Sequence, residues 1–199
     1  MTSRSLGWRR ALIIVAALAG MAATFSLGRW QLSRAAQKEA LAAALAERQH
    51  LPALDGATLA APPPAADRQA LLYRNVTLRG TWLPGRTVYL DNRVMEQRTG
   101  FYVLTPLLLT GSEAVVLVQR GWIPRNFEDR RALPPVATPA GEVQVEGRVA
   151  EGPSRAYALG ADGTDAIRQN LDLDAFRAET GLPLAGLMVW QTGEPSDGL

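Results

Sequence analysis

Cysteine is absent from all 199 residues, which removes disulfides, thiolate metal sites and a cysteine nucleophile. It leaves the compartment open, because extracytoplasmic domains also fold without cysteine. Histidine occurs once, as His50. A Ser–His–Asp triad, a Cys–His pair and a multi-histidine metal site all fail on that count. Lysine also occurs once, as Lys38, so positive charge is carried by arginine. Heavy arginine and alanine usage reads as compositional bias rather than recognition. No phosphate-cradling glycine loop is present.

A pI near 9.4 invites a nucleic-acid partner, and the placement of charge argues against one. Arg4, Arg9, Arg10, Arg29, Arg34 and Lys38 all precede the first acidic residue, Glu39. Removing those six from 21 basic residues leaves fifteen against 19 acidic, a net charge of −4 from residue 39 onward. The basic excess flanks an apolar block, where it meets lipid headgroups, and no nucleic-acid surface is expected.

That block, Ala11 to Gly28, holds no charge and only Thr24 and Ser26 as polar residues. Its 18 residues sit at the lower limit for a membrane span, which takes about 20 helical residues. Trp8 and Trp30 bracket it, as interfacial tryptophans do. A cleaved signal peptide ending at Ala17-Leu18-Ala19 is the rival reading. The apolar run continues past Ala19, and cleavage there leaves an awkwardly basic start; an uncleaved anchor is favoured. Three basic residues on each side leave the orientation undecided by charge.

Five segments follow: 1–10 as the N-terminal flank, 11–28 as the anchor, 29–51 as a helical stalk, 52–70 as a proline- and alanine-rich linker or irregular covering loop, and 71–199 as a β-rich domain. The stalk lacks glycine and proline and is rich in good helix formers. In the last segment, Tyr73–Leu83 alternates on Val76, Leu78 and Trp82, with Gly80 as a candidate bulge. Pro84-Gly85 makes a turn into Arg86–Asn92, and Val94–Thr99 reads as a polar connection. Two apolar runs then flank Thr110-Gly111-Ser112-Glu113, which predicts a β-hairpin with Gly111 at positive φ. Ala114–Val118 does not alternate, so it should be covered on both faces, with Val116 and Val118 opposite Leu117. Glu142–Ala150 alternates cleanly on Val143, Val145 and Val149. Asp172–Gly181 is a short helix, capped by Asp172 and stopped by Gly181 and Pro183, with Leu173 and Phe176 inward. Leu187–Trp190 closes the domain. The fold class is α+β, mainly β: a transmembrane helix and stalk, then an antiparallel sandwich or small barrel with one short helix.

Groups that could carry chemistry are few. His50 ends the stalk; 22 residues at about 1.5 Å each put it roughly 33 Å beyond Gly28, a poor place for a haem ligand. Asp162, Asp165, Asp172 and Asp174 cluster in sequence without the spacing of a calcium loop, so a hydrolase built on them is a minor reading. Asn75-Val76-Thr77 fits a glycosylation sequon inside a predicted strand. No catalytic residue and no metal site is assigned, and the chain is not expected to be an enzyme. Arg120 and Trp122 leave the central strand where cover should thin. Either they form a recognition surface, or Trp122 caps the core and Arg120 is solvated.

Several passages together resemble one family. Leu27-Gly28-Arg29-Trp30-Gln31-Leu32-Ser33-Arg34 with Lys38 is similar to its LGxWQLxR passage at the end of a first membrane helix. Tyr73-Arg74-Asn75-Val76 with Gly80 resembles its first strand. Gly100-Phe101-Tyr102-Val103-Leu104-Thr105-Pro106 and Val116-Leu117-Val118-Gln119-Arg120-Gly121-Trp122-Ile123-Pro124 resemble its two strongest motifs. The family is the Surfeit locus protein family of cytochrome oxidase assembly factors. Gln119 stands where the family commonly has asparagine.

The resemblance implies an anchor in the inner membrane, with its N-terminus in the cytoplasm and its domain in the periplasm. It also implies a chaperone role in maturing haem-copper cytochrome c oxidase, by assisting haem a delivery or insertion into subunit I. Partners are then subunit I, other assembly factors and membrane lipid. Within the matched motifs, Gln119, Arg120, Trp122 and Tyr102 are the partner-binding candidates. Family members usually end in a second membrane helix carrying a histidine implicated in haem contact. The sequence stops at Leu199, before that helix, either as a fragment or as a copy that has lost it, so haem a is a transient cofactor assigned to no residue here. The alternative is a periplasmic domain that docks oxidase subunits and never touches haem.

Overall fold

The computed structural model describes residues 3–61, 64–129, 132–156, 164–194 and 199. It divides into two units, Met1–Glu47 and Arg48–Leu199. Most of the first unit is α1 (Ser3–His50), an uninterrupted 48-residue helix that ends in the second. Anchor and stalk are thus one element: the helix holds no proline and runs unbroken through Gly28 at their junction. Every side chain from Ala11 to Gly28 is exposed, Leu12 and Phe25 by more than half. Among the described residues α1 is the one helix long and apolar enough to cross a membrane.

The second unit opens differently from expectation. Residues 52–70, expected as a linker or an irregular covering loop, cover the core with regular elements: β1 (Leu54–Asp55), α2 (Gly56–Ala60) and the start of α3 (Ala65–Leu71) lie there. Asp55 caps α2 by accepting from the Thr58 amide at 3.2 Å, and α2 carries Leu59 into the core at 1% exposure. A five-residue helix bearing one apolar side chain has no periodicity to detect, so small residues and prolines hid it.

The strands are β2 (Asn75–Trp82), β3 (Val88–Met95), β4 (Arg98–Leu109), β5 (Val115–Pro124), β6 (Glu142–Ala150), β7 (Ile167–Arg168) and, after α4 (Leu173–Thr180), β8 (Leu184–Gln191). The order β2-β6-β8-β5-β4 returns to β2 through Gly80–Trp82 against Leu109–Leu107. Five strands therefore close into a barrel, antiparallel at every seam except β5–β8. β3 and β7 extend the sheet outward from β4, and β1 runs parallel beside β2.

Two glycine readings separate here. Gly111 does hold φ of +76° in the β4–β5 loop. Gly80 is no bulge, since its register with β6 is unbroken from Asn75 to Thr81. A Cβ there would lie 2.1 Å from the Leu108 carbonyl oxygen, so glycine lets β4 approach at the closure seam. Residues 94–99 are likewise no loose connection. β3 and β4 meet across a two-residue turn in which Glu96 and Gln97 take φ of 49° and 63°, positions where glycine or asparagine is the usual signal.

β5 supplies both sides of the core. Val116 and Val118 point into the barrel with Leu59, Leu78, Trp82 and Leu187, while Leu117 packs on the outer face with Leu104, Met188 and Phe176. α4 lies over that outer face; Asp172 accepts from the Asp174 and Ala175 amides, and Gly181 ends the helix at φ 69°. A third cluster, Phe101, Val103 and Ile123, is covered by Leu133 and Val136 from the proline-rich excursion.

Candidate functional site

Opposite Val103 and Leu104 of β4, β5 offers Gly121 and Gln119, so Arg120 is the extra residue of a β-bulge. The bulge decides where the candidate residues point. Arg120 turns inward and is 2% exposed. Its guanidinium donates to Thr138 Oγ1 at 2.9 Å and to the Ala137 carbonyl at 2.5 Å, and lies 4.6 Å from the Trp82 ring centroid. Burial lowers its pKa and raises that of the nearby Tyr89 phenol. Arg120 is thus neither an exposed contact nor a solvated charge. It fills the barrel interior beside Trp82.

The other three candidates face outward. Trp122 pairs with Tyr102, and both are half-buried. Trp122 Nε1 donates to the Arg93 carbonyl at 2.9 Å, and its ring lies where a side chain on Gly100 would stand. Gln119 pairs with Leu104 on one side and with Trp190 of β8 on the other. Trp190 in turn pairs with Arg148 of β6, so Arg148, Trp190 and Gln119 form a row on the outer face of the barrel.

Each member of that row has a buried polar atom without a partner: Arg148 Nε, Trp190 Nε1 and Gln119 Oε1. Leaving such an atom unmet costs about 1–3 kcal/mol, and ordered water is the usual partner of a buried polar atom. Orphaned Nε atoms recur in other arginines, but Arg74 and Arg125 send Nη2 to Pro52 O and Asp91. The Arg148 side chain makes no hydrogen bond or ion pair with any described residue.

Trp190 also lines an open cleft of about 800 Å³, together with Tyr73, Arg68, Gly186 and Arg177. Gly186 leaves room for the Arg68 guanidinium, which lies 3.5 Å from where a Cβ would stand. Arg177 is held by the Leu184 carbonyl at 3.0 and 3.2 Å and by Asp174, and Arg155 pairs with Asp172 at 3.3 Å. Asp172 and Asp174 are neutralised in this way, whereas Arg68 and Glu151, which line the same cleft, have no ion pair among the described residues. Tyr73 sits at φ 66°, a left-handed conformation costing about 1 kcal/mol or more, with its amide tied to Val149 O at 2.9 Å.

The cleft therefore sets three arginines (Arg68, Arg155, Arg177) and three carboxylates (Glu151, Asp172, Asp174) beside the aromatic faces of Tyr73 and Trp190. The aspartates do not converge: Asp172 and Asp174 are engaged as above, Asp165 offers its carbonyl to Arg168, and Asp162 lies outside the described residues. No group of three or more potential metal ligands occurs among the described residues. As a haem site the lining is incomplete. Arg68 could meet a propionate and Tyr73 or Trp190 a ring face, but no histidine, methionine or cysteine is among the described lining residues. His50 is exposed at the end of α1.

A family model, described as the SURF1 family, matches residues 18–198. The chain belongs to the SURF1 family. A SURF1-like protein of Drosophila melanogaster is 31% identical over 157 residues, covering 71% of this chain and 47% of the relative. A SURF1-like protein of Rickettsia bellii (strain RML369-C) is 33% identical over 98 residues, 48% of this chain and 37% of the relative. Surfeit locus protein 1 of Arabidopsis thaliana is 30% identical over 119 residues, 55% and 33% respectively. The chain thus spans between a third and a half of the length of these curated relatives. The stretch matched by the SURF1 model takes in Tyr102, Gln119, Arg120 and Trp122, and also Arg148 and Trp190. Sequence reasoning missed the last two. Arg148 was visible only as an outward position in an alternating strand, and Trp190 as the end of an apolar run; their adjacency is set by register alone.

Proposed function

We propose that this SURF1-family chain is a membrane-anchored assembly factor for haem-copper cytochrome c oxidase. It assists delivery or insertion of haem a into subunit I and turns over no substrate itself. α1 anchors it in the inner membrane with the N-terminus in the cytoplasm, and the barrel works in the periplasm. Family membership over residues 18–198 carries the reading. The half-buried aromatic side chains on the outer face, Tyr102, Trp122 and Trp190, support it, because a chaperone needs a docking surface.

A second version has the barrel dock oxidase subunits without touching haem. The cleft's lack of a histidine, methionine or cysteine among its described lining residues favours it for this unit. Deleting the chain should lower the haem a content of the purified oxidase; an unchanged content would remove both versions. Haem co-purifying with the full chain in detergent would favour delivery, and haem-free chain that still captures subunit I would favour docking. Alkaline phosphatase fused after Leu199, behind the intact barrel, should be active, and a fluorescent cytoplasmic fusion at that point would overturn the orientation.

A further inference from the structure

We infer that the cleft beside Trp190 binds a small zwitterion, an ammonium joined by a short link to an oxyanion. Such a ligand is independent of the assembly reading above, because every residue involved lies in the barrel unit.

The charge left over in the cleft is one of each sign. Arg155 pairs with Asp172 and Arg177 with Asp174, which accounts for two of its three arginines and two of its three carboxylates. Arg68 and Glu151 remain, and neither side chain has an ion pair or a hydrogen bond among the described residues. They are near neighbours. The Arg68 guanidinium lies over Gly186 of β8, and Glu151 follows Ala150 of β6, whose partner Met188 is two residues from Gly186. At about 3.3 Å per residue and 4.8 Å between strands, the guanidinium and the Glu151 backbone lie within roughly 10 Å of each other. A simple anion there meets repulsion from Glu151, and a simple cation meets it from Arg68. An occupant carrying both charges satisfies both.

Two further features set this cleft apart from a solvated surface. Arg68 is packed rather than loose: its Cζ, Nη2 and Nη1 lie 3.5, 3.6 and 3.8 Å from the point where a Gly186 Cβ would stand. The guanidinium therefore lies flat on the strand. Its N–H bonds lie in its own plane, so the fork points along the cleft floor and suits two oxygens of one oxyanion. Tyr73 is the second feature. It holds φ of 66° at the cleft wall, and such backbone outliers cluster at ligand sites. Its amide bond to Val149 O at 2.9 Å anchors the residue there. Tyr73 and Trp190 give the cleft two aromatic side chains, and an alkylated ammonium is drawn to aromatic faces as well as to a carboxylate. The oxyanion thus meets Arg68, and the ammonium meets Glu151 and the rings.

Calorimetric titration of the full chain in dodecyl maltoside micelles tests this, with O-phosphocholine, glycine betaine and dihexanoylphosphatidylcholine as probes. At least one should bind saturably. Inorganic phosphate and tetramethylammonium, each carrying half of the charge pair, should bind about tenfold or more weakly than the best zwitterion. Arg68→Gln and Glu151→Gln should each lower affinity for the zwitterion about tenfold, and near-ultraviolet circular dichroism checks that both fold. Tyr73→Gly separates site from scaffold, because glycine accepts φ of 66° without strain while the ring is lost. Its binding should weaken about fivefold while its melting temperature holds or rises. Lipid binding tighter than that of the free zwitterions marks a membrane headgroup as the source, and the reverse order marks a free solute; either supports the site. No binding of any zwitterion, phosphate binding as tight as the best of them, or unchanged affinity in Glu151→Gln would each overturn it.

Discussion

The Arg120 guanidinium stacks 4.6 Å from the Trp82 ring inside the barrel, with its Nη atoms on Ala137 O and Thr138 Oγ1. A residue in the most family-like motif is thus committed to packing. Arg120→Ala should lower stability by roughly 2–4 kcal/mol, from the lost cation–π contact, the hydrogen bonds and the cavity. Arg120→Met, which refills the space, should cost less than Ala. Thermal melts of both variants beside oxidase haem a content check this. A melting temperature like wild type with reduced haem a would make Arg120 a contact residue after all.

Leu117 is fully buried on the outer face, between β4 and β8. Leu117→Asp places an unpaired carboxylate there and should cost more than about 4 kcal/mol, enough to unfold the unit. Retained near-ultraviolet circular dichroism would show that β5 is not the central strand.

The closure seam predicts a contrast between two glycines. At Gly80 a Cβ meets backbone 2.1 Å away, while at Gly85 nothing lies within 4 Å. Gly80→Ala should lower the melting temperature by several degrees, a loss of about 2 kcal/mol or more. Gly85→Ala should be neutral within about 0.5 kcal/mol. Equal effects would mean that β2 and β4 do not meet as described.

Arg168, 9% exposed, holds both oxygens of Glu179, at 2.8 and 3.1 Å. Those bonds keep the Glu179 carboxyl below its usual pKa. A depressed folded-state pKa stabilises fully above the ordinary carboxylate range and loses that contribution as pH falls through the depressed value. The difference in melting temperature between wild type and Glu179→Gln should therefore be greatest near neutral pH and shrink in acid. A constant difference from pH 7 to 3 would refute the link.

What the sequence made legible was local. The Gly111 loop, the Asp172 and Gly181 caps and the two-faced burial of β5 follow from neighbours within a few residues. What it hid depends on partners far along the chain. The extra residue at Arg120 is defined only against Val103 and Leu104, and without that bulge Arg120 reads as a residue leaving a strand into solvent. Gly80 looked like a bulge because its crowding comes from Leu108, 28 residues later. The Arg148–Trp190–Gln119 row joins residues from three strands and has no sequence signature. The Glu96–Gln97 turn lacked one for another reason: neither residue favours the positive φ that the paired strands impose on it.

β8 lies between β5 and β6, and its seam with β5 joins Val115 to Leu184 in parallel. During synthesis the ribosome delivers β2 to β6 well before their last neighbour, so the ring stays open until Gln191 has emerged. Such long-range pairing slows folding. Until then β5 and β6 each expose an unpaired edge and the apolar lining behind it, the template for wrong association. The interval before β8 arrives is accordingly when this chain most needs protection from other chains, and a stop introduced between Thr180 and Leu184 should yield aggregate rather than a smaller folded barrel.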